Sequence, residues 1–332
     1  MSLSHEDLRI LLCDLGRHVQ ASVLAGRQAS SVDALAQVAA QTSADTIYAI
    51  DKIGEVAIAA WFNEKWPATE PVEVVMEGLE EETCFPSGTP IAQTKWKCLL
   101  DPIDGTRCIM YDKRSAWSLA ALAPQHGPET MLSHVVVAAM TELPTTKQWR
   151  ADQISAVRGC GLVAESTNIF TGAKSPLVLT PSTARDFRHG FAWMAKYFPE
   201  GRTLTAQIEE QLWAELVGIG VDASPTVFDD QYICTGGAFY ELLVGHDRLV
   251  ADLRPLVYAT LDLELSLLCH PYDVGAALLL EEAGIVYEHP LGGFPDAPMD
   301  TTSGVAWIAY ANPVLASAAR PALQKILRQF LG

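Results

Sequence analysis

An apolar run that ends in two aspartates, KWKCLLDPIDGT at 95–106, constrains this chain more than any other stretch. The run reads as a buried strand that stops at Asp101, and α/β proteins usually place ligands at the carboxyl ends of such strands. Pro102 fixes φ, which predicts a tight turn holding the Asp101 and Asp104 carboxylates and the Ile103 carbonyl together. Two carboxylates that close repel each other, so the arrangement costs stability unless a cation lies between them. An all-oxygen set of this kind suits Mg²⁺ better than a transition metal, which would recruit His or Cys. Gly105 lets the backbone approach a ligand, and Thr106 is placed to open a helix whose free N–H groups bind a phosphate. Asp, Pro and Gly also dominate solvated turns; the apolar run before them and the Gly-Thr after them favour the site.

Composition narrows what such a cation could serve. The chain has 332 residues, 49% hydrophobic and 19% charged, which is ordinary for a globular protein of one large domain or two smaller ones. Its net charge of -17 argues against a nucleic acid polymer or an anionic membrane surface as partner. An anionic small molecule would be repelled as well, unless metal ions reverse the local field. The seven cysteines are scattered and never spaced Cys-x-x-Cys, a pattern of reduced thiols rather than of disulfides or a zinc site. The first residues carry acids at helical spacing in place of the basic start and unbroken apolar run of a signal peptide. No stretch approaches the roughly 18 apolar residues of a membrane span. The expectation is a cytoplasmic protein.

Patterning along the chain predicts mixed α and β structure. Ser4 with Asp7 marks a helix start, with the helix running to about Leu24. A second helix is expected over Ser31–Thr42 and a third from Asp51. PVEVVM predicts a strand ending at Met76, and SAWSLAALAP and SHVVVAAMTE predict paired strands. QISAVRGCGLVAEST predicts a hairpin turning at Arg158-Gly159. In the second half, LVLTPST and DRLVADLRP read as strands, and TLTAQIEEQLWAELV and GGAFYELLVG as helices. DVGAALLLEEAG reads as a helix of about three turns with Gly284 at its C-cap. GVAWIAYAN is a late strand and PVLASAARPALQKILRQF a closing helix. The pattern implies layered α/β sheets, with a first half at 1–174 and a second at 175–332.

Two further acids occupy comparable places: Glu77 follows the strand VEVVM, and Asp273 opens DVGAALLLEEAG. Alone, Asp273 is equally a helix cap, and EGLEEE at 77–82 a solvated acidic loop. Taken in order, the acidic motif after a strand, DPIDGT and YDVGAALLLEEAG resemble the inositol monophosphatase family of magnesium-dependent, lithium-sensitive phosphatases. Its superfamily includes fructose-1,6-bisphosphatases and nucleotide 3'-phosphatases. The likeness runs from about Ala44 to Asn312 and includes ADTIYAIDKIGEVAI, AVRGCG and GGFPDAPMD.

The resemblance implies an αβαβα sandwich, a homodimer, and hydrolysis of a small phosphate monoester, inositol monophosphate or a sugar phosphate, by metal-activated water. It implies one Mg²⁺ held by Glu77, Asp101 and the Ile103 carbonyl and another by Asp101, Asp104 and Asp273, with two or three ions per site. Asp51 would pair with Thr106 to orient the attacking water, and the Gly105 and Thr106 amides would hold the phosphate. The usual Gly-Glu-Glu is here EGLEEE, so Glu80 or Glu81 could replace Glu77. Asp262 or Glu264 would meet substrate hydroxyls. Arg185 and Arg188 would meet a second anion, or simply lie on a solvated helix face. His270 has a packed, hydrogen-bonded reading in preference to an acid–base one. Competing readings are a fructose-1,6-bisphosphatase, a nucleotide 3'-phosphatase, or a metal-binding regulatory homologue without turnover.

Overall fold

A computed structural model of the protein describes residues 3–29, 37–41, 46–76, 83–218, 226–263 and 267–332. Helix α1 (His5–Ala29) starts where Ser4 and Asp7 cap each other: the Ser4 N–H donates to Asp7 Oδ2 at 2.9 Å and the Asp7 N–H to Ser4 Oγ at 3.2 Å. The expected helix at 31–42 is corrected in its described part. Val38–Gln41 is strand β1, paired with β2 (Thr46–Tyr48), because ladder pairing overrides the local helix preference of Ala-Ala-Gln; the remaining residues of that segment lie outside the described ones. Helix α2 (Ala49–Lys65) follows directly.

The first large sheet comprises β3 (Val72–Met76), β4 (Thr83–Phe85), β5 (Trp96–Asp104), β6 (Ala116–Pro124), β7 (Val137–Leu143), β8 (Arg150–Val157), β9 (Leu162–Asn168) and β10 (Lys174–Pro176), with the short helix α3 (Thr106–Met110) after β5. The spatial order is β10-β9-β8-β7-β6-β5-β3-β4. Among the described strands of this sheet only β3 and β5 pair in parallel, so both deliver their carboxyl ends to the same end of the sheet. Along β6 the pleat alternates between two cores: Trp117, Leu119, Ala121 and Ala123 face one, Ala116, Ala120 and Leu122 the other. Both faces are therefore covered, and the strand reads as continuously apolar.

The second sheet is built from β11 (Gly190–Met194), β12 (Val227–Phe228), β13 (Asp247–Asp252), β14 (Val286–Glu288) and β15 (Trp307–Tyr310), in the order β12-β11-β13-β15-β14. Its helices are α4 (Arg202–Leu216), α5 (Thr235–Leu243), α6 (Arg254–Thr260), α7 (Pro271–Val274), α8 (Leu278–Glu282) and α9 (Pro313–Leu331). Helices α1 and α2 cover the outer face of the first sheet, α5, α7 and α8 lie between the sheets, and α4 and α9 cover the second sheet. This is an αβαβα sandwich. Strands 72–176 build one sheet and strands 190–310 the other.

Three further expectations are corrected. LVLTPST is irregular rather than a strand; Pro181 has no N–H to give a ladder. GFAWM inside the segment read as a helix face is strand β11, held between β12 and β13 by parallel pairing. The predicted helix from Asp273 is interrupted by a 3-10 turn at Gly275–Ala277. There Gly275 approaches β6 so closely that a Cβ would stand 3.1 Å from the Ala121 methyl.

Candidate active site

Strand β5 does not stop at Asp101; it carries both aspartates to its end at Asp104. Asp101 pairs with Leu119 and Asp104 with Trp117, so three steps on β5 face two on β6. Residues three apart on a regular strand point to opposite faces; one extra residue returns them to the same face. A bulge at Pro102-Ile103, in place of the expected tight turn, therefore brings the two carboxylates together. Asp101 Oδ1 accepts the Ile103 N–H at 3.0 Å and stabilises the bulge.

Asp273 arrives from the second half on α7, where its Oδ2 accepts the His270 N–H at 2.6 Å. Carboxylate oxygens of Asp101, Asp104 and Asp273 lie within 4.8 Å of one another. Among the described residues no other three His, Cys, Asp or Glu side chains converge in this way. Burial, with Asp273 nearby, pushes Asp104 up to about 8, and burial raises Asp273 to about 6. In both, the raise comes first from burial, which strips water from the charged form. The trio fits a hard divalent cation, since all the donors are oxygens and ionised carboxylates would regain by coordination what they lose by desolvation. Glu77, Glu80 and Glu81 lie outside the described residues.

The residues that hold Asp104 are ones the sequence reading passed over. The Gly236 N–H donates to Asp104 Oδ2 in a short hydrogen bond, and the Thr235 amide also supports that carboxylate. Both belong to the first turn of α5, whose amides favour negative charge. The signal was the Gly-Gly pair that opens an apolar helix: a Cβ on Gly236 would stand 2.8 Å from the Trp117 Cβ and 3.0 Å from Asp104 Oδ2. Gly236→Ala is expected to lower the melting temperature, at a cost of about 1–3 kcal/mol from overpacking. By displacing Asp104 it should also weaken divalent-cation binding about tenfold or more, as read by calorimetric titration.

Asp51, in the first turn of α2, joins the cluster from the outer helical layer. Its Oδ2 caps α2 by accepting the Tyr48 N–H at 2.7 Å, and its Oδ1 accepts the Thr106 hydroxyl at 2.7 Å. Thr106 Oγ1 also lies 2.9 Å from the Ile103 carbonyl oxygen. Gly105 precedes α3 with φ of 96°, a left-handed conformation that glycine adopts without strain. These groups line one small cavity of about 100 Å³ together with the three acids. Arg107, whose guanidinium lies 5.3 Å from the Tyr48 ring centre, closes one wall.

The lining also contains Tyr197, Phe198 and Arg254. Arg254 is buried against both rings, donates from Nε and Nη2 to Asp252, and from Nη1 to the Leu267 carbonyl at 2.9 Å. Asp262, on the exposed turn after α6, does not line this cavity, and Glu264 lies outside the described residues. Arg185 and Arg188 are also exposed and outside the lining; Arg188 donates to the Val217 carbonyl at 2.9 Å. The strand formed by GFAWM turns that segment away from the acids. His270 is buried, its Nδ1 3.0 Å from the Ser303 carbonyl oxygen and its ring stacked on Tyr272, in keeping with a packed role.

No protein-family model matches the sequence, and no curated protein matches it. Solved structures do match across nearly the whole chain. The extragenic suppressor protein SuhB of Bartonella henselae is 16% identical with a TM-score of 0.65, over 96% of this chain and 99% of that one. The fructose-1,6-bisphosphatase of Leishmania major is 12% identical with a TM-score of 0.67, over 96% and 93%. The inositol monophosphatase of Anabaena is 13% identical with a TM-score of 0.59, over 98% and 96%. The chain has the fold that inositol monophosphatases and fructose-1,6-bisphosphatases share.

Proposed function

We propose that the protein hydrolyses small phosphate monoesters with the help of divalent cations, Mg²⁺ by the character of the donors, and that its substrate is an inositol phosphate or a sugar phosphate. The observation that carries this reading is the convergence of Asp101, Asp104 and Asp273 beside the Asp51–Thr106 hydrogen bond. Asp101, Asp104, Asp273 and the Ile103 carbonyl would hold the metal, with Glu77 completing the set. Glu77 is favoured over Glu80 and Glu81 by its place in the sequence directly after Met76, which pairs with Leu100, the neighbour of Asp101. Bound there, Mg²⁺ supplies Lewis acidity toward a phosphoryl oxygen and lowers the pKa of water.

The chain's own residues position the reactants. Asp51 accepts the Thr106 hydroxyl proton, so the lone pairs of Oγ1 remain to accept an O–H from a water and aim it. The Gly105 and Thr106 amides at the start of α3 receive phosphate oxygens. Thr106→Val removes that hydroxyl and is expected to lower turnover about 100-fold. The Mg²⁺-induced rise in melting temperature should persist, because no proposed ligand is lost. A variant with normal turnover would remove Thr106 from the reaction.

Arg107 in the lining favours a second reading, in which the substrate carries another anionic group, as fructose bisphosphate and phosphoadenosine phosphate do. Phosphate release measured across inositol phosphates, sugar phosphates, fructose bisphosphate and phosphoadenosine phosphate, with and without Mg²⁺, separates the two. Mg²⁺-dependent release from at least one ester is expected. Stabilisation by Mg²⁺ without release from any of them would mark a metal-binding protein without turnover and overturn the proposal.

A further inference from the structure

A second and larger cavity, of about 550 Å³, opens away from the acidic trio where the two halves meet. Its volume is in the range of small-molecule sites. Lys113, Arg114 and Ser115 contribute from the segment after α3; Asp230 and Tyr232 from the segment before α5; Phe191 and Asp247 from β11 and β13.

Most charges in this cavity are matched. Arg114 donates to Asp230 at 2.5 Å and to the Gln231 carbonyl at 3.2 Å, and its guanidinium lies 5.2 Å from the Tyr232 ring centre. His246 Nδ1 lies 2.5 Å from Glu241 Oε2. Asp247 differs. It is 4% exposed, and its Oδ2 accepts the Trp193 indole N–H at 2.9 Å. Its other oxygen accepts no hydrogen bond and its carboxylate makes no ion pair among the described residues, although His246 and the exposed Lys113 share the lining. Burial, with Glu241 and Asp230 nearby, raises Asp247 to about 7. A buried acid without an ion-pair partner costs stability, and a cation delivered to it would relieve that cost.

We propose that this cavity binds a small organic ammonium ion, with its charged end on Asp247 and its alkyl body against Phe191 and Tyr232. A bare metal ion fits less well, because Asp230, Glu241 and Asp247 do not converge as Asp101, Asp104 and Asp273 do. The aromatic walls suit an alkyl chain and add attraction for a cation over a ring face. This site does not depend on the phosphatase reading.

The test is calorimetric titration of the full chain with cadaverine, using pentanediol of the same chain length as the uncharged control. Saturable binding of cadaverine and none of the diol is expected. Asp247→Asn, which keeps an acceptor for Trp193, should weaken binding about tenfold or more. The exposed Asp230→Asn should weaken it several-fold and guards against misfolding of the first variant. Asp104→Asn should leave binding unchanged, since it alters only the acidic trio. Equal binding of amine and diol, wild-type binding by Asp247→Asn, or loss of binding in Asp104→Asn alone would each overturn the assignment.

Discussion

Asp104→Asn is expected to raise the melting temperature of the metal-free protein by about 3 °C or more, and to lower Mg²⁺-dependent phosphate release by about 100-fold or more. Both effects come from one cause. Asp104 is buried beside Asp273 with amide support from Gly236 and Thr235 and makes no ion pair among the described residues, and burial raises its pKa from the ordinary 3.8 to about 8. Folding at neutral pH, where the unfolded chain would ionise this acid, therefore costs on the order of a few kcal/mol from this group. Asn keeps an acceptor for the Gly236 amide and carries no charge to desolvate. It is also a poor ligand for a hard divalent cation, so the stability gain accompanies a functional loss. Asp101→Asn and Asp273→Asn should resemble it in activity. A variant that melts lower than wild type, or that retains near-normal turnover, would contradict the assignment of Asp104 as a ligand whose charge destabilises the empty site.

Stabilisation by Mg²⁺ is expected to be small near pH 5 and to grow toward pH 8. Asp104 and Asp273 have folded pKa values of about 8 and about 6, both above the ordinary 3.8. A group raised on folding binds more protons in the folded than in the unfolded state. Its favourable contribution is full below about pH 4 and is lost as pH climbs through about 6 and then about 8. The metal-free protein should lose stability across that window from these two groups. Mg²⁺ requires the carboxylates deprotonated, so protons compete with it at the acid end, and at the alkaline end it neutralises the repulsion that has built up. Melting curves with and without Mg²⁺ at several pH values measure the difference. A Mg²⁺ shift that is flat with pH, or largest at the acid end, would contradict the picture.

The strand VEVVM, the paired strands after DPIDGT, the hairpin at Arg158-Gly159 and the closing helix were legible because their periodicity or turn residues act locally. The strand β11 was not, since GFAWM offers little alternation and becomes a strand through its neighbours on both sides. The same limit applied to β1, where pairing with β2 decides the conformation. Within the site, Asp101, Asp104, Asp273, Asp51 and Thr106 could be named from motif and order, and the structure gathers them in one cavity. Asp262 was named from the family resemblance and Arg185 and Arg188 from their charge, and they lie outside it.

The amino-acid order by itself determined which carboxylates flank a Pro-Ile step and which glycine follows them, because covalent neighbours and backbone preferences act over a few residues. It did not determine that a bulge would turn two aspartates to one face, that α5 would lend its Gly236 amide to Asp104, or that Arg254 would lie against Tyr197 and Phe198. Those contacts join segments far apart in the chain. They exist only where packing of the two sheets holds the segments together, and packing is a property of the folded whole.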